Sequence, residues 1–97
     1  MGAEKNFENK VKKYLQKIGA FYFKYWGGGI YTVNGIPDLI CCYKGKFIAL
    51  EIKSKTGVAS EIQEFQMNKI RSSGGVAMVL RPQNFEEFKK LIESMED

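Results

Sequence analysis

Gly35-Ile36-Pro37-Asp38 opens the stretch that decides the fold. It runs on through Leu39-Ile40-Cys41-Cys42-Tyr43, Lys44-Gly45, Lys46 and Phe47-Ile48-Ala49-Leu50 to Glu51-Ile52-Lys53. Two apolar runs about a Gly-centred break mark a β-hairpin. With Lys44-Gly45 as a two-residue loop, Tyr43 pairs with Lys46, and counting outward sets Asp38 opposite Glu51. Directly opposed side chains have Cβ atoms about 4.5–5.5 Å apart, so two carboxylates meet at one end of a sheet. Like charges so placed are destabilising, and sharing a site raises one of the two pKa values. A divalent cation removes the conflict, since Mg²⁺ binds one or two carboxylates at about 2.0–2.1 Å. Lys53 lies two residues past Glu51, and strand periodicity points it to the same face. An Asp after Pro can be a mere turn residue, and a Glu-x-Lys a solvated strand face, but the flanks argue otherwise. Ile40, Cys42, Phe47 and Ala49 share the face of the carboxylates, while Leu39, Cys41, Ile48, Leu50 and Ile52 fill the other. A hairpin apolar on both faces is expected to be covered on both, and a buried charge needs a partner or a metal.

Around this hairpin the chain is short. Its 97 residues make one small domain, residues 1–97, with a single core. Hydrophobic residues at 44% and charged residues at 27% are ordinary for a globular protein. No apolar run approaches the roughly 18 residues of a membrane span, and the lysine-rich start lacks a signal-peptide core. Cys41 and Cys42 fall in one strand and read as small core residues, which suits a reducing, intracellular setting. The chain has no histidine, which excludes Ser-His and Cys-His nucleophile pairs. Two cysteines without histidine do not complete the common kind of zinc site, so zinc is not expected.

Charge is unevenly placed. Residues 1–55 hold ten lysines against Glu4, Glu8, Asp38 and Glu51, a balance of +6. Residues 56–97 hold five basic and seven acidic groups, a balance of −2. A localised basic surface suits a polyanion, and phosphate contacts supply most non-specific affinity for nucleic acid. Thirteen lysines against two arginines favour backbone attraction over bidentate reading of bases. A solubilising lysine face would show the same charge, so charge alone does not decide.

Phe7, Val11, Tyr14, Leu15 and Ile18 recur at helical spacing, which predicts an amphipathic helix over 4–18 that Gly19 stops. Phe21 to Trp26 reads as a strand, and Gly27-Gly28-Gly29 opens a loop that runs to Pro37. Strands over 38–43 and 46–53 form the hairpin. Ser60 and Gln63 form a capping-box pattern opening a helix to about Ser72, and Gly74-Gly75 ends it. Val76 to Leu80 is a short buried strand. After Pro82, Phe85, Phe88, Leu91, Ile92 and Met95 make a closing amphipathic helix. The order α-β-β-β-α-β-α defines an α/β fold on a small mixed sheet flanked by helices. Phe21, Phe23 and Tyr25 are expected in the core.

These residues, in this order, resemble the PD-(D/E)XK nuclease superfamily, and most closely its virus-type replication-repair nuclease (VRR-NUC) branch. The resemblance covers about residues 4–95 and rests on four pieces: Gly-Ile-Pro-Asp at 35–38, Glu-Ile-Lys at 51–53, Ser60-x-x-Gln63, and Glu8 on the first helix. It implies a restriction-endonuclease-like core and phosphodiester hydrolysis with Mg²⁺ or Mn²⁺. Asp38, Glu51 and the Ile52 carbonyl would then hold the metal, with Glu8 completing the shell and Glu4 its rival. Lys53 would orient or deprotonate the attacking water and neutralise transition-state charge. Gln63 would bind phosphate or a water of the metal, with Gln66 as the alternative and a plain helix-cap role as the bland reading. Lys24, Trp26, Lys53 and Lys55 would contact DNA, Trp26 serving either that purpose or dimer packing. One metal site cuts one strand, so a bare domain resolving a branched junction such as a Holliday junction needs two copies, and a homodimer matches a two-fold junction. The resemblance thus implies a homodimeric, structure-selective endonuclease of viral or phage origin, acting inside the cell. The alternatives are a non-catalytic branched-DNA-binding module on the same scaffold, and an interaction domain whose carboxylates and lysine form a buried ion network.

Overall fold

A computed structural model describes residues 2–95. Met1, Glu96 and Asp97 of the expected single domain lie outside the described residues. In chain order the elements are α1 (Ala3–Lys17), β1 (Phe21–Lys24), β2 (Leu39–Tyr43), β3 (Lys46–Ile52), α2 (Glu61–Ser72), β4 (Val76–Leu80), a 3₁₀ turn (Pro82–Asn84) and α3 (Phe85–Glu93). The order is the expected one.

The hairpin forms as the sequence predicts. Lys44 and Gly45 take φ values of 52° and 79°, the left-handed pair of a type I′ turn, whose twist matches that of the flanking strands. Tyr43 consequently pairs with Lys46 and Leu39 with Leu50. The four strands lie in the order β1-β2-β3-β4. The first three are antiparallel, and β4 adds parallel to β3 through the α2 crossover.

Two unequal layers cover this sheet. On one face, Leu39, Cys41, Ile48, Leu50 and Ile52 meet Phe7, Val11 and Leu15 of α1 and Phe88 and Ile92 of α3. Each such side chain contributes about 1.5–3 kcal/mol on full burial. On the other face α2 packs Met67 over Ala49 and Ala77, whose small side chains let the helix approach β3 and β4. Glu51, near the end of β3, is buried under this layer.

On this face α2 leaves β1 and the turn end of the hairpin largely uncovered, which corrects two expectations. Phe21 and Phe23 are 68% and 47% exposed, and Cys42 and Phe47 are exposed beside them. Pairing of Phe21 with Cys42, Phe23 with Ile40 and Cys42 with Phe47 puts all of these on one open sheet face. Only Cys41 behaves as a core cysteine, and burial, then the Cys42 charge, pushes its thiol up to about 12. Tyr25 is neither core nor free: its hydroxyl donates to the Val33 carbonyl (3.2 Å) and accepts from the Val33 amide (2.9 Å). That pair of bonds closes the base of the loop between β1 and β2.

Candidate active site

Asp38 sits one residue before β2, fixed on both sides by its backbone surroundings. Its carbonyl accepts from the Tyr25 amide at 2.8 Å, and its Oδ2 accepts from the Ile52 amide at 2.9 Å. The approach to Asp38 explains the glycine three residues earlier. Gly35 has φ +83°, and a Cβ there would lie 2.7 Å from both the carbonyl oxygen and Cγ1 of Ile62. Only glycine lets the chain pass so close to the first turn of α2. Gln66 Nε2 donates to the Asn34 carbonyl at 3.2 Å and ties the same segment to the same helix. The two-residue hairpin loop, continued along the ladder, sets Asp38 opposite Glu51.

Glu51 is 2% exposed, and its two oxygens differ. Oε2 accepts from Gln63 Nε2 at 2.7 Å and lies 3.3 Å from Lys53 Nζ. Oε1 is buried and has no hydrogen-bond partner among the described residues. Burial, followed by the charge of Asp38, outweighs the attraction of Lys53 and raises the carboxyl to about 7. A buried acceptor left unmatched costs roughly 1–3 kcal/mol, so Oε1 is a place for a proton or a cation. The donors are hard oxygens with a neighbouring carboxylate, which suits Mg²⁺ or Mn²⁺ better than a thiophilic ion. On that test, the residues fit a divalent cation.

Gln63 owes its position to a helix start. Ser60 caps α2: its Oγ accepts from the Gln63 amide at 3.2 Å, and Gln63 Oε1 accepts from the Ser60 amide at 2.8 Å. The side-chain amide nitrogen is left pointing at Glu51. One side chain therefore serves the cap and also reaches Glu51, while Gln66 serves the Asn34 loop.

Glu8, expected to complete the metal shell, is engaged by lysines. It is 4% exposed and does face inward, as its place on the apolar stripe of α1 predicts. Both of its oxygens, however, accept from Lys24 Nζ at 2.9 Å, and Lys12 Nζ lies 3.0 Å from Oε2. Burial raises this carboxyl, but the ammoniums of Lys24 and Lys12 together hold it below the ordinary glutamate range. Among the described residues no group of three or more carboxylates or cysteines is gathered that could hold a metal. Glu4, the rival, lies exposed on the first turn of α1. Lys24, expected on the DNA path, donates to Glu8, and its ammonium lies 4.8 Å above the ring of Trp26. Trp26 and Lys55 are exposed, and Lys53 is partly buried beside Glu51. The Lys24–Glu8–Lys12 group was missed from sequence, although Glu8 and Lys12 stand at i,i+4 on one helix, a spacing that pairs opposite charges.

A hairpin that brings Asp38 and a Glu-x-Lys to one sheet end, with helices on both faces, is a PD-(D/E)XK-type nuclease fold. The sequence matches that of the archaeal Holliday junction resolvases (Hjc) over residues 2–92, and the chain belongs to that family. Among solved structures it is similar to Archaeoglobus fulgidus Hjc, a Holliday junction resolvase from an archaeal hyperthermophile, at TM-score 0.60 and 22% identity. That likeness, which speaks for the fold, covers 79% of this chain and 66% of the other, just under two thirds of its length. No curated protein matches the chain. Among the described residues, no helix is long and apolar enough to cross a membrane.

Proposed function

We propose that this chain is a divalent-metal-dependent endonuclease that cuts branched DNA, four-way junctions above all, as a homodimer. The observation that carries the reading is the unmatched, buried Oε1 of Glu51 beside Asp38, with the Lys53 ammonium on the other oxygen. Asp38, Glu51 and the carbonyl of Ile52 would hold the ion. The Ile52 amide already binds Asp38, so the backbone there runs next to the carboxylate pair. When bound, Mg²⁺ or Mn²⁺ supplies Lewis-acid chemistry at the phosphodiester. Lys53 carries a proton and a positive charge where negative charge grows on the phosphate. Gln63 fixes Oε2, which keeps Oε1 turned to the cation side. Glu8 is assigned to Lys24 rather than to the metal, holding that ammonium beside the mouth of the β1–β2 loop. Trp26 and Lys55, both exposed, flank the path of the DNA.

Two observations support a second copy. One carboxylate pair cuts one strand, and a junction needs two symmetric cuts. The open sheet face of Phe21, Phe23, Cys42 and Phe47 is the kind of apolar patch that marks an interface. The spacing of the Gly-x-Pro-Asp, Glu-x-Lys and Ser-x-x-Gln motifs further supports kinship with the virus-type replication-repair branch and a phage source.

The test is cleavage of a labelled four-way junction beside linear duplex in Mg²⁺, Mn²⁺ or EDTA, with wild type and Lys53→Ala, after light scattering of the free protein. Paired, metal-dependent cuts that vanish in the variant are expected from a dimer. Tight junction binding with no cleavage in either metal would make the chain a binding module. A strict monomer that nicks one strand would remove the resolving role and keep the nuclease.

A further inference from the structure

We propose that the groove between α1 and α3, on the sheet face opposite α2, binds the phosphate backbone of a duplex arm of the substrate. The inference rests on the nuclease reading and adds a second contact surface to it. The groove holds about 310 Å³ and is lined by Lys10, Lys13 and Lys17 of α1 and Lys89 of α3, with Tyr14 and Phe85 between them.

Its lysines differ from the others on the same helix. Lys5 and Lys12 turn to Glu8, at 3.9 and 3.0 Å. Lys10, Lys13 and Lys17 are exposed and form no ion pair among the described residues. A merely solvating helix face sets acids three or four residues from its lysines, but α1 carries no acid after Glu8. Three ammoniums along one stripe repel one another until an anion with matching spacing arrives. From Lys10 to Lys17 the helix rises about 10 Å. A DNA strand carries one charge per about 3.4 Å of axis, so that span faces about three phosphates. Across the groove, Lys89 is held over the rings of Phe85 (4.4 Å) and Tyr14 (5.4 Å) and pairs with the exposed Glu86 at the rim (3.3 Å).

The chemistry favours DNA over an acidic protein. The groove offers lysine point charges and no arginine, and its rings are committed inward. Phe85 packs edge-on to Phe7 (5.4 Å) and Tyr14 (5.8 Å), so neither is an open anchor pocket of the kind that protein interfaces use.

The experiment compares wild type with Lys10→Gln/Lys13→Gln/Lys17→Gln, whose glutamines are comparable helix formers at exposed positions. Affinity for long-armed and short-armed four-way junctions is measured over a range of salt in EDTA, and cleavage of the short-armed junction in Mg²⁺. For the long-armed junction, the slope of log K against log salt should fall in magnitude by about 2.7, or about 0.9 for each of three lost contacts. The short-armed junction should show no change in slope, in cut position or in cleavage rate. Equal slopes for both proteins on long arms, with metal-dependent cleavage intact, would overturn this inference alone. A wild type that binds no junction would overturn it together with the nuclease reading. Loss of polyglutamate binding in the variant, with DNA binding untouched, would assign the groove to an acidic protein and likewise overturn it.

Discussion

Among the described residues two glutamates are buried, and their surroundings are opposite. Glu8 meets Lys24 and Lys12 within 3.0 Å, and its carboxyl is held below the ordinary range. Glu51 meets Asp38 across the hairpin, keeps one oxygen unmatched, and is raised to about 7. Burial pushes both carboxyls up, so the difference comes from what faces them. The first is a closed ion cluster, complete without a ligand. The second is short of positive charge. The largest effect should therefore separate them in catalysis. Glu51→Gln should lower junction cleavage by at least about 10³-fold, the scale of removing a group at the reacting centre. Glu8→Gln should lower it by about tenfold through a loosened Lys24, with the Mg²⁺ concentration at half-activity unchanged. A large shift of that Mg²⁺ midpoint in Glu8→Gln would erase the distinction and make Glu8 a ligand.

Stability should divide the pair next, and with opposite signs in pH. The folded-state value of Glu51 lies above its ordinary value of 4.5, so the folded protein holds the extra proton between there and about 7. Its contribution is fully present below about pH 4.5 and is lost as pH rises through 7, on the order of 3 kcal/mol in all. Glu8, held low, contributes stability above about pH 4.5 that is lost as pH falls through its depressed value. Thermal melts in EDTA should show wild type losing ground to Glu51→Gln between about pH 5 and 8. Mg²⁺ added at the alkaline end should restore wild type and leave Glu51→Gln unmoved. If the two proteins run parallel across that range, Glu51 is not the strained group described here.

The Glu51 region was largely legible in the sequence, and the Glu8 region was not. A two-residue loop with glycine fixes the register of a hairpin, so the opposition of Asp38 and Glu51 follows from counting. The capping pattern at Ser60 and Gln63 is local for the same reason. The partner of Glu8 on β1 depends on which of thirteen lysines the tertiary fold brings up, and spacing alone names only Lys5 and Lys12. The exposure of Phe21 and Phe23 was likewise hidden. An aromatic strand reads as core until it is known that α2 spans β3 and β4 and leaves β1 uncovered.

That open face yields the next test. Phe23→Asp puts a charge into a patch that is already wet in the monomer, so the fold should change by less than about 0.5 kcal/mol. Against a second copy, the same charge is buried unpaired and should weaken association by more than tenfold in sedimentation. Dimerisation untouched by Phe23→Asp would place the contact elsewhere on the surface.

The smallest effect lies at Ser60, where the comparison can be sharpened without touching a carboxylate. Glu8 is held by long lysine side chains, whereas Glu51 is held by a glutamine that a helix cap has already oriented. Ser60→Ala removes the hydroxyl acceptor for the Gln63 amide and should cost about 1 kcal/mol of stability, as cap losses do. Gln63 then keeps its bond to the Ser60 amide but gains freedom about its own backbone, so Oε2 of Glu51 is less firmly held. Cleavage should fall only a few-fold, through a weaker apparent affinity for Mg²⁺, and Ser60→Thr, which retains the hydroxyl, should recover it. A stability loss of that size with an unchanged Mg²⁺ midpoint would confine Ser60 to the helix and separate the cap from the site.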